Sequence, residues 1–469
     1  MSIFNSHFKL EEISSVLKDV KASIRFIGIS GSGMYPLAAI LKGRGYSVSG
    51  SDIRCGAPTV DSLGIPISPP GVQEWGRVDL AVYSLAIDES DKEITYATSH
   101  GIPLISRAQL LGAIMSAYTT RISVSGSHGK STTTALVEHI LRTAGRMPVA
   151  ISGATLSGGE TFADGGGDIF VAEACEYKDS FLSLCPTHQI ITSVELDHTD
   201  YFTDLSHIRS SFLSAARLAG TAVINLDDST SGGILEQLAC EGATRVIGYG
   251  TSPDADYRLD KIVRAGEITL FSVIHDGREI KLTTSLIGEF NLYNITAAVA
   301  LGDELGIDDE DVICAVRDFR PIDRRLSRLG DIDGTSVWYD YAHHPSEIAS
   351  VIDALKERYG TVTVIFRPHT YSRTQGLWQD FIAALSKADF TILLDIYPAR
   401  EKEIDGITSQ RLASEISGAI CSSASLAAKA ALAYGTGAIA LLGAGDVDEV
   451  KENLIKHVQK KGHSPEKEI

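Results

Sequence analysis

The chain has 469 residues, a length that suits about three domains of roughly 150 residues each. Hydrophobic residues make up 44% and charged residues 22%, a balance that excludes disordered and fibrous architectures. The formal net charge of −18 argues against a general nucleic-acid binder, because the phosphate backbone would repel it. An anionic substrate must therefore be held by local positive groups and by backbone amides.

The sequence contains no apolar run long enough for a signal peptide or a membrane anchor, and residues 1–20 carry several charges. We therefore expect a cytoplasmic protein without a membrane partner. The cysteines form no Cys-x-x-Cys pair, which favours reduced thiols over a disulfide framework or a zinc site. These residues are Cys55, Cys175, Cys185, Cys240, Cys314 and Cys421.

Residues 1–115 show an alternation of strands and helices that predicts a Rossmann-like parallel sheet. A buried strand from residue 24 runs into a glycine turn, and a helix follows from about Pro36 to Lys42. Further strands are predicted at 47–52, 80–84 and 102–105.

Residues 116–318 form a second predicted unit, an ATPase-type domain with a mixed sheet around a glycine loop. A strand with Ile122 and Val124 precedes the loop, and an amphipathic helix follows it. Two alternating runs flank Asp276-Gly277, which is a hairpin signal. Other strands are predicted at 168–172, 189–194, 221–224 and 245–247.

Residues 319–469 form a third predicted unit, again Rossmann-like. Its strands are predicted at 336–340, 362–367, 390–396 and 438–442. The polar tail at 460–469 is expected to fray.

The segment Gly126-Ser-His-Gly129-Lys130-Ser131 has the composition of a phosphate-binding loop. Glycines allow backbone amides to face phosphate oxygens, while the helix N-terminus and Lys130 add positive charge. The Ser131 hydroxyl is placed to ligate Mg²⁺. Two residues separate the glycines, where the common P-loop has four, so GTPases and small-molecule kinases are disfavoured.

This loop resembles the ATP loop of the Mur ligase family, which joins amino acids to cell-wall precursors. Further segments resemble family motifs in the same order along nearly the whole chain. They are Gly28-Ile-Ser-Gly-Ser-Gly-Met, Glu173-Ala-Cys-Glu, Asp197-His-Thr-Asp, Asn291-Leu-Tyr-Asn, Arg324-Arg, Asp340-Tyr-Ala-His-His-Pro and Pro368-His-Thr-Tyr-Ser-Arg-Thr.

The resemblance implies a three-domain α/β ligase that uses ATP and Mg²⁺. The expected reaction joins L-alanine to UDP-N-acetylmuramate through an acyl phosphate, the first amino-acid addition of peptidoglycan synthesis. We expect a monomer or weak homodimer. The implied ATP-binding residues are Gly126, Ser127, His128, Gly129, Lys130, Ser131, Thr132, Asn291, Asn294, Arg324 and Asp340. The implied metal ligands are Ser131, Glu173 and His198, and the implied catalytic residues are Lys130, His198, Arg325 and His343.

The N-terminal glycines alone would suggest a dinucleotide fold with Asp52 as the acid that binds ribose. The resemblance instead implies that this domain binds the UDP half of the sugar nucleotide. The residues implied in substrate binding across the chain are Gly31, Ser32, Gly33, Met34, Asp52, Ser84, Arg107, His344, His369 and Arg373.

Several alternatives stay open at this point. No residue stands out as the base that deprotonates the amino acid; the candidates are His343, His344 and His369, with His128 ranked below them. Ser193 and Phe290 depart from the common family pattern. The competing functions are a recycling ligase that attaches a tripeptide to the same sugar nucleotide, an NAD-dependent oxidoreductase, and a nucleotide-binding protein without catalysis.

The sequence also predicts a domain motion. Lys130 and Asp340 fall in different predicted domains, so ATP would be clamped between them, with hinges near 110–120 and 316–322. No lysine lies between His198 and Lys261, where later Mur ligases keep a metal-binding carbamylated lysine, and this favours the first addition step.

Overall fold

The computed structural model describes residues 10–53, 63–71, 74–156, 159–399, 401–445 and 447–462. Within them, the strands in chain order are β1 Ser23–Ile27, β2 Ser47–Ser51, β3 Ile67–Ser68, β4 Leu80–Tyr83, β5 Leu104–Ser106, β6 Thr120–Ser125, β7 Val149–Ile151, β8 Phe162–Asp164, β9 Ile169–Glu173, β10 His188–Ile191, β11 Thr221–Asn225, β12 Arg245–Gly250, β13 Tyr257–Ala265, β14 Ile268–His275, β15 Arg278–Thr284, β16 Ser327–Ile332, β17 Thr335–Asp340, β18 Val362–Phe366, β19 Phe390–Leu393, β20 Ala419–Cys421 and β21 Ala438–Leu442.

The helices of the described residues are α1 Leu10–Val16, α2 Tyr35–Gly43, α3 Lys92–Ser99, α4 Arg107–Met115, α5 Lys130–Thr143, α6 Leu205–Ala216, α7 Ser229–Glu241, α8 Glu289–Glu304, α9 Asp309–Asp318, α10 Pro345–Tyr359, α11 Tyr371–Gly376, α12 Trp378–Leu385, α13 Ser409–Ser414, α14 Ala424–Tyr434 and α15 Asp448–Gly462. A 3₁₀ segment covers Tyr177–Ser183. Across the part of the chain that the structure describes, no helix combines the length and apolar character needed to cross a lipid bilayer.

The chain divides into two compact units. Unit 1 consists of Met1–Val194, Arg209–Tyr257 and Ala297–Ala315. Unit 2 consists of Glu195–Ile208, Arg258–Thr296 and Val316–Ile469. The domain boundaries after residues 115 and 318 stay predictions.

The first sheet of unit 1 has the order β3-β2-β1-β4-β5, and all its strands run parallel. The alternation of apolar strands with helices explains this arrangement, because a parallel crossover needs a helix or a long connection. The predicted strand at 102–105 is observed slightly later, at Leu104–Ser106, since Pro103 precedes it and Ser106 caps α4. The parallel N-terminal sheet is therefore confirmed.

The second sheet of unit 1 is mixed. Strands β12, β11, β10, β6, β9 and β7 lie side by side and parallel, and β8 pairs antiparallel with β7. The central strand β6 is buried on both faces and ends at Ser125. A loop that follows this strand therefore begins at the carboxyl edge of the sheet, where ligands bind in open α/β folds.

Unit 2 contains an antiparallel meander of β13, β14 and β15, and the predicted turn at Asp276-Gly277 joins its last two strands. A separate sheet of unit 2 has the order β16-β17-β21-β18-β19-β20, in which the pairing of β16 with β17 is antiparallel and the rest are parallel. One apolar cluster packs α10 and α12 on this sheet, and another packs α14 and α15. The predicted α/β class is thus confirmed.

The remaining predictions concern one strand end, the cysteines and the C-terminal tail. The strand predicted at 390–396 ends at Leu393, because Ile396 packs in a small cluster with Tyr371 and Ile407 instead. Five cysteines are free thiols as predicted, while Cys55 lies outside the described residues. The predicted frayed tail also lies mostly outside them, from residue 463.

Candidate active site

The loop between β6 and α5 is shaped by two glycines in the left-handed region. Gly126 has φ +143° and Gly129, which precedes α5, has φ +81°. A Cβ on Gly126 would lie 1.9 Å from Thr192 Oγ1, so no other residue fits there. The loop therefore brings its amides and the N-terminus of a 14-residue helix to one point, a geometry that suits an anion.

The end of β10 holds this loop in place. Ser127 N donates to Ser193 O at 2.8 Å, and His128 N donates to Ser193 Oγ at 3.2 Å. The Thr192 hydroxyl donates to His128 O. Ser193, one of the departures from the family pattern, thus contacts the loop through both its main chain and its hydroxyl.

Lys130 lies against the loop and a buried carboxylate. Its Nζ donates to Ser127 O at 3.2 Å and lies 3.0 Å from Oε2 of Glu176, a residue that is 2% exposed. Burial disfavours the charge of Lys130, but Glu176 and its neighbours outweigh burial and raise the pKa of the ammonium above its usual value. The lysine therefore keeps its positive charge beside the loop at neutral pH.

Glu173 ends β9, the neighbour of β6 in the sheet, which puts its carboxylate one strand from the loop. Its Oε2 accepts hydrogen bonds from Gly153 N at 2.6 Å and from Ser152 Oγ at 3.1 Å. Ser131 and Thr132 lie buried in the first turn of α5. A carboxylate and a hydroxyl are oxygen ligands of the kind Mg²⁺ binds, so the donor set fits this ion.

The N-terminal turn of unit 1 follows β1. Asp52, at the end of β2, accepts a hydrogen bond from Ser30 N at 2.9 Å, and Met34 N donates to Gly31 O at 2.8 Å. A Cβ on Gly33 would lie 2.9 Å from Arg107 Cδ, so the arginine packs directly over this glycine. Ser32 is exposed within the turn, and Ser84 follows β4. The predicted uridine-diphosphate residues therefore gather at one edge of the first sheet.

In unit 2, Asp197 is paired with Arg373. The carboxylate is buried, and its Oδ1 accepts hydrogen bonds from Nη2 at 3.0 Å and Nε at 3.3 Å of the arginine. Burial works against ionisation of Asp197, but Arg373 and two histidines overcome it and lower the pKa of the carboxyl. Arg373 also contacts His369 Nδ1 at 3.3 Å.

The histidines of unit 2 differ in their surroundings. Burial lowers the pKa of His343 to about 4, and burial together with Arg373 does the same to His369. Both rings are therefore neutral at physiological pH. His344 caps α10, since its Nδ1 accepts a hydrogen bond from Ser346 N at 3.4 Å. The same Nδ1 lies 2.8 Å from Ser346 Oγ, and the Ser346 hydroxyl donates to Glu195 at 2.7 Å.

His198 follows Asp197 with φ +53°, and its main-chain N donates to Asp197 Oδ1 at 2.7 Å. Its Nε2 lies 4.0 Å from the other carboxylate oxygen. This places a nitrogen donor beside a carboxylate already bonded to Arg373. The role of His198 as a metal ligand, which the resemblance implies, stays a prediction.

Asp340 ends β17 and fixes the neighbouring chain by hydrogen bonds. Its oxygens accept hydrogen bonds from Leu326 N at 2.5 Å and Ala342 N at 2.6 Å. Burial raises the pKa of Asp340 to about 6, although Arg325 acts in the opposite direction. Arg324 and Arg325 both lie over the ring of Tyr341, at 4.5 Å and 5.2 Å from its centroid.

Asn291 and Asn294 lie in the first turns of α8. Asn294 Nδ2 donates to Asn291 Oδ1 at 3.2 Å, and Asn291 Nδ2 donates to Ile287 O at 2.8 Å. Phe290, the other departure from the family pattern, packs against the core of unit 2. The paired amides are thus fixed in orientation by their own hydrogen bonds.

Sequence profiles of one family match almost the whole chain. The profile of the Mur ligase catalytic domain matches residues 23–119, that of the middle domain residues 124–302, and that of the glutamate ligase domain residues 324–447. A UDP-N-acetylmuramate–L-alanine ligase of Lachnospira eligens is 39% identical over 409 residues, which are 84% of this chain and 87% of the relative. The chain belongs to the Mur ligase family.

Other Mur ligases agree with this assignment. A UDP-N-acetylmuramate–L-alanine ligase of Desulfotalea psychrophila is 38% identical over 399 residues, 83% of this chain and 86% of that protein. The crystal structure of a UDP-N-acetylmuramate-alanine ligase of Thermotoga maritima is similar with a TM-score of 0.77 at 25% identity, covering 94% of this chain and 99% of the other.

In this Mur ligase, the predicted site residues lie in several separate clusters, each within one of the two units. Unit 1 holds the loop with Glu173, and separately the N-terminal turn. Unit 2 holds the set around Arg373, the Asp340 turn and the Asn291 pair. Sequence reasoning missed Glu176 as the partner of Lys130 and Glu347, which accepts hydrogen bonds from the main-chain amides of both His343 and His344. A signal for Glu347 was available, because a glutamate at the third position of a helix is typical of a capping box.

Proposed function

We propose that the protein is an ATP-dependent ligase that joins L-alanine to UDP-N-acetylmuramate, giving ADP and phosphate. The observation that carries the proposal is the loop after β6, with charged Lys130 and the nearby carboxylate of Glu173, in a chain whose relatives at 35–39% identity over more than four fifths of its length include several alanine ligases. ATP and both substrates follow from this assignment.

The chemistry explains why ATP is required. A carboxylate oxygen is a poor leaving group, so the γ-phosphoryl group moves from ATP to the carboxylate of the sugar, which releases ADP and gives an acyl phosphate. The alanine nitrogen then attacks the acyl carbon, and phosphate leaves with one of the original carboxylate oxygens. Phosphoryl transfer depends mainly on positioning and charge neutralisation, which matches the lysine, arginines and amides of this chain.

Unit 1 would bind the phosphates and the nucleotide sugar. The amides of the loop and Lys130 offset phosphate charge, and Ser131 and Glu173 would hold Mg²⁺. Bound Mg²⁺ would supply further charge neutralisation at the phosphates. The turn at 28–34, with Asp52, Ser84 and Arg107, would hold the uridine diphosphate by amides and one cation.

Unit 2 would contribute Arg324, Arg325 and Asp340 toward ATP and Arg373 toward the alanine carboxylate. Neutral His343 and His369 can accept a proton, although pKa values of about 4 make both weak acceptors for an alkylammonium. His344 orients the start of α10. A cytoplasmic location and a monomeric or weakly dimeric state remain part of the proposal.

The test is phosphate release from ATP and Mg²⁺ with UDP-N-acetylmuramate and a set of acceptors. L-alanine, glycine, L-serine, a murein tripeptide and no acceptor are compared. We expect release that requires both the nucleotide sugar and L-alanine and is lost in Lys130→Ala but kept in the exposed Lys281→Ala. Preference for the tripeptide would favour the recycling reaction, and silence with every acceptor would contradict the proposal.

A further inference from the structure

A basic cavity of about 540 Å³ lies within unit 2. None of the residues proposed above for ATP, the nucleotide sugar or alanine lines it. Its walls come from the meander, from the end of α9 and the chain that follows it, and from the C-terminal sheet with the end of α10. Arg317, Arg320, Arg328 and Arg358 line it, with Glu267 as the single carboxylate among the lining residues. In a chain of net charge −18, this concentration of guanidinium groups favours an anionic ligand.

Internal pairing leaves part of this positive charge unmatched. Arg317 and Arg328 are held by the adjacent carboxylates of Asp318 and Asp331, at 2.9 Å and 2.5 Å. Arg320, by contrast, donates to the main-chain oxygens of residues 317 and 319, at 3.1 Å and 3.2 Å, and pairs with no carboxylate among the described residues.

Arg358 is the second donor with spare capacity. Its nearest carboxylate is Glu267, at 3.9 Å, and that side chain is 78% exposed. A separation of 3.9 Å is too long for a hydrogen bond, and exposed ion pairs of this kind contribute little. An incoming anion can therefore replace Glu267 at Arg358 with small loss.

The inner wall carries an unsatisfied hydroxyl and an aromatic surface. Ser285 Oγ is buried and has no hydrogen-bond partner among the described residues. A buried hydroxyl without a partner is unfavourable, and a ligand oxygen would satisfy it. Trp338 and Tyr359, with ring centroids 6.1 Å apart, form the apolar part of the wall.

We propose that this cavity binds a small molecule that carries a diphosphate or two phosphate groups. Arg320 and Arg358 would supply charged donors from two separate segments, and Ser285 would supply a neutral one. The planar guanidinium fork matches phosphate oxygens in pairs, which makes arginine the suitable residue. This site shares no residue with the proposed ligase site, so binding here does not depend on the proposed ligase activity.

Occupancy would have a mechanical consequence. Arg320 lies in the segment 316–322 that the sequence predicts as a hinge. Arg358 ends α10 on the C-terminal sheet of the same unit. A ligand bound to both would tie the hinge segment to that sheet and restrict the hinge.

The test uses Trp338 as a local fluorescent reporter. Of the tryptophans of the chain, Trp75 and Trp378 are replaced by phenylalanine, which leaves Trp338. Inorganic pyrophosphate is titrated with ADP and Mg²⁺ at saturation, so that the nucleotide loop is occupied. We expect a saturable change in Trp338 emission, with an affinity lowered at least about tenfold in Arg320→Ala and in Arg358→Ala.

The matched control is Arg217→Ala, an exposed arginine of unit 1 that pairs with Glu241 and should leave the affinity unchanged. Potassium chloride at equal ionic strength should give no saturable change. An unsaturable response, or equal affinity in all three arginine variants, would overturn the proposal. If the double tryptophan variant fails to fold, calorimetric titration of the otherwise unchanged chain makes the same comparison.

Discussion

Charged side chains in the proposed site owe their ionisation to immediate neighbours. Lys130 stays charged although it is half-buried, because Glu176 faces it. Asp197 stays ionised because Arg373 donates to it twice. Asp340 has the opposite surroundings, since burial and Glu347 both favour its protonated form. Folding therefore lowers the pKa of Asp197 and raises that of Asp340, so the two carboxyls give opposite dependences on pH.

Replacing Asp197 by asparagine should destabilise the protein in a pH-dependent way. The pKa of this carboxyl is lowered by folding, so its contribution is present above the usual value of about 4 and is lost as the pH falls below it. We expect Asp197→Asn to lower the free energy of unfolding by about 3 kcal/mol at pH 7. Thermal melts from pH 7 to acid should show this gap shrinking, and the exposed Asp254→Asn should show no gap. A gap that is independent of pH would contradict the pairing.

The raised pKa of Asp340 predicts that kcat/KM for ATP falls at acid pH, which gives the pH profile an acid limb. Its pKa of about 6 means that the carboxylate form, which the proposed contact with ATP requires, is lost as the pH falls through that value. The kcat/KM for ATP should therefore rise with pH up to about 6 and then level off, if Asp340 governs it. In Asp340→Asn this limb should be absent and kcat/KM lower throughout. A limb at the same pH in the variant would assign it to another group.

At the scale of elements, strands with regular apolar patterns could be predicted and irregular ones could not. The prediction omitted β16, because Gly330 and charged Arg328 and Asp331 interrupt its pattern and a register shift breaks its pairing with β17. The loop after β6 was predicted from its residue types alone. The contacts of Glu176 with Lys130 and of Arg373 with Asp197 could not be, because packing between distant segments decides them.

The loop after β6 should tolerate no side chain at its first glycine. In Gly126→Ala, the new Cβ would overlap Thr192 Oγ1, and the backbone would keep a positive φ. The loop must therefore move, and the hydrogen bond from the Thr192 hydroxyl to His128 O must move with it. We expect a loss of ATP-dependent activity and a lower melting temperature. Gly145→Ala is the matched control, since Gly145 also has a positive φ, of +71°, but no atom lies within 4 Å of its Cβ site. That variant should lose only about 1 kcal/mol of stability and keep its activity. Equal losses in both would show that backbone strain alone matters.

At the scale of the whole molecule, the sequence predicts that ATP binding and domain closure are linked, because Lys130 and Asp340 fall in different predicted domains. Addition of a non-hydrolysable ATP analogue with UDP-N-acetylmuramate should therefore reduce the radius of gyration measured by small-angle scattering. Lys130→Ala, which removes the proposed phosphate contact, should keep the larger radius under the same conditions. An unchanged radius for the unsubstituted protein would count against closure.

Transfer of an oxygen atom tests the central claim most directly. UDP-N-acetylmuramate labelled with ¹⁸O in its carboxylate is incubated with ATP, Mg²⁺ and L-alanine, and the released phosphate is analysed by mass spectrometry. An acyl phosphate requires that each phosphate carry one oxygen from the sugar carboxylate, so we predict singly labelled phosphate in amounts equal to the alanine-containing product. Unlabelled phosphate, or phosphate formed without alanine product, would contradict the ligase mechanism.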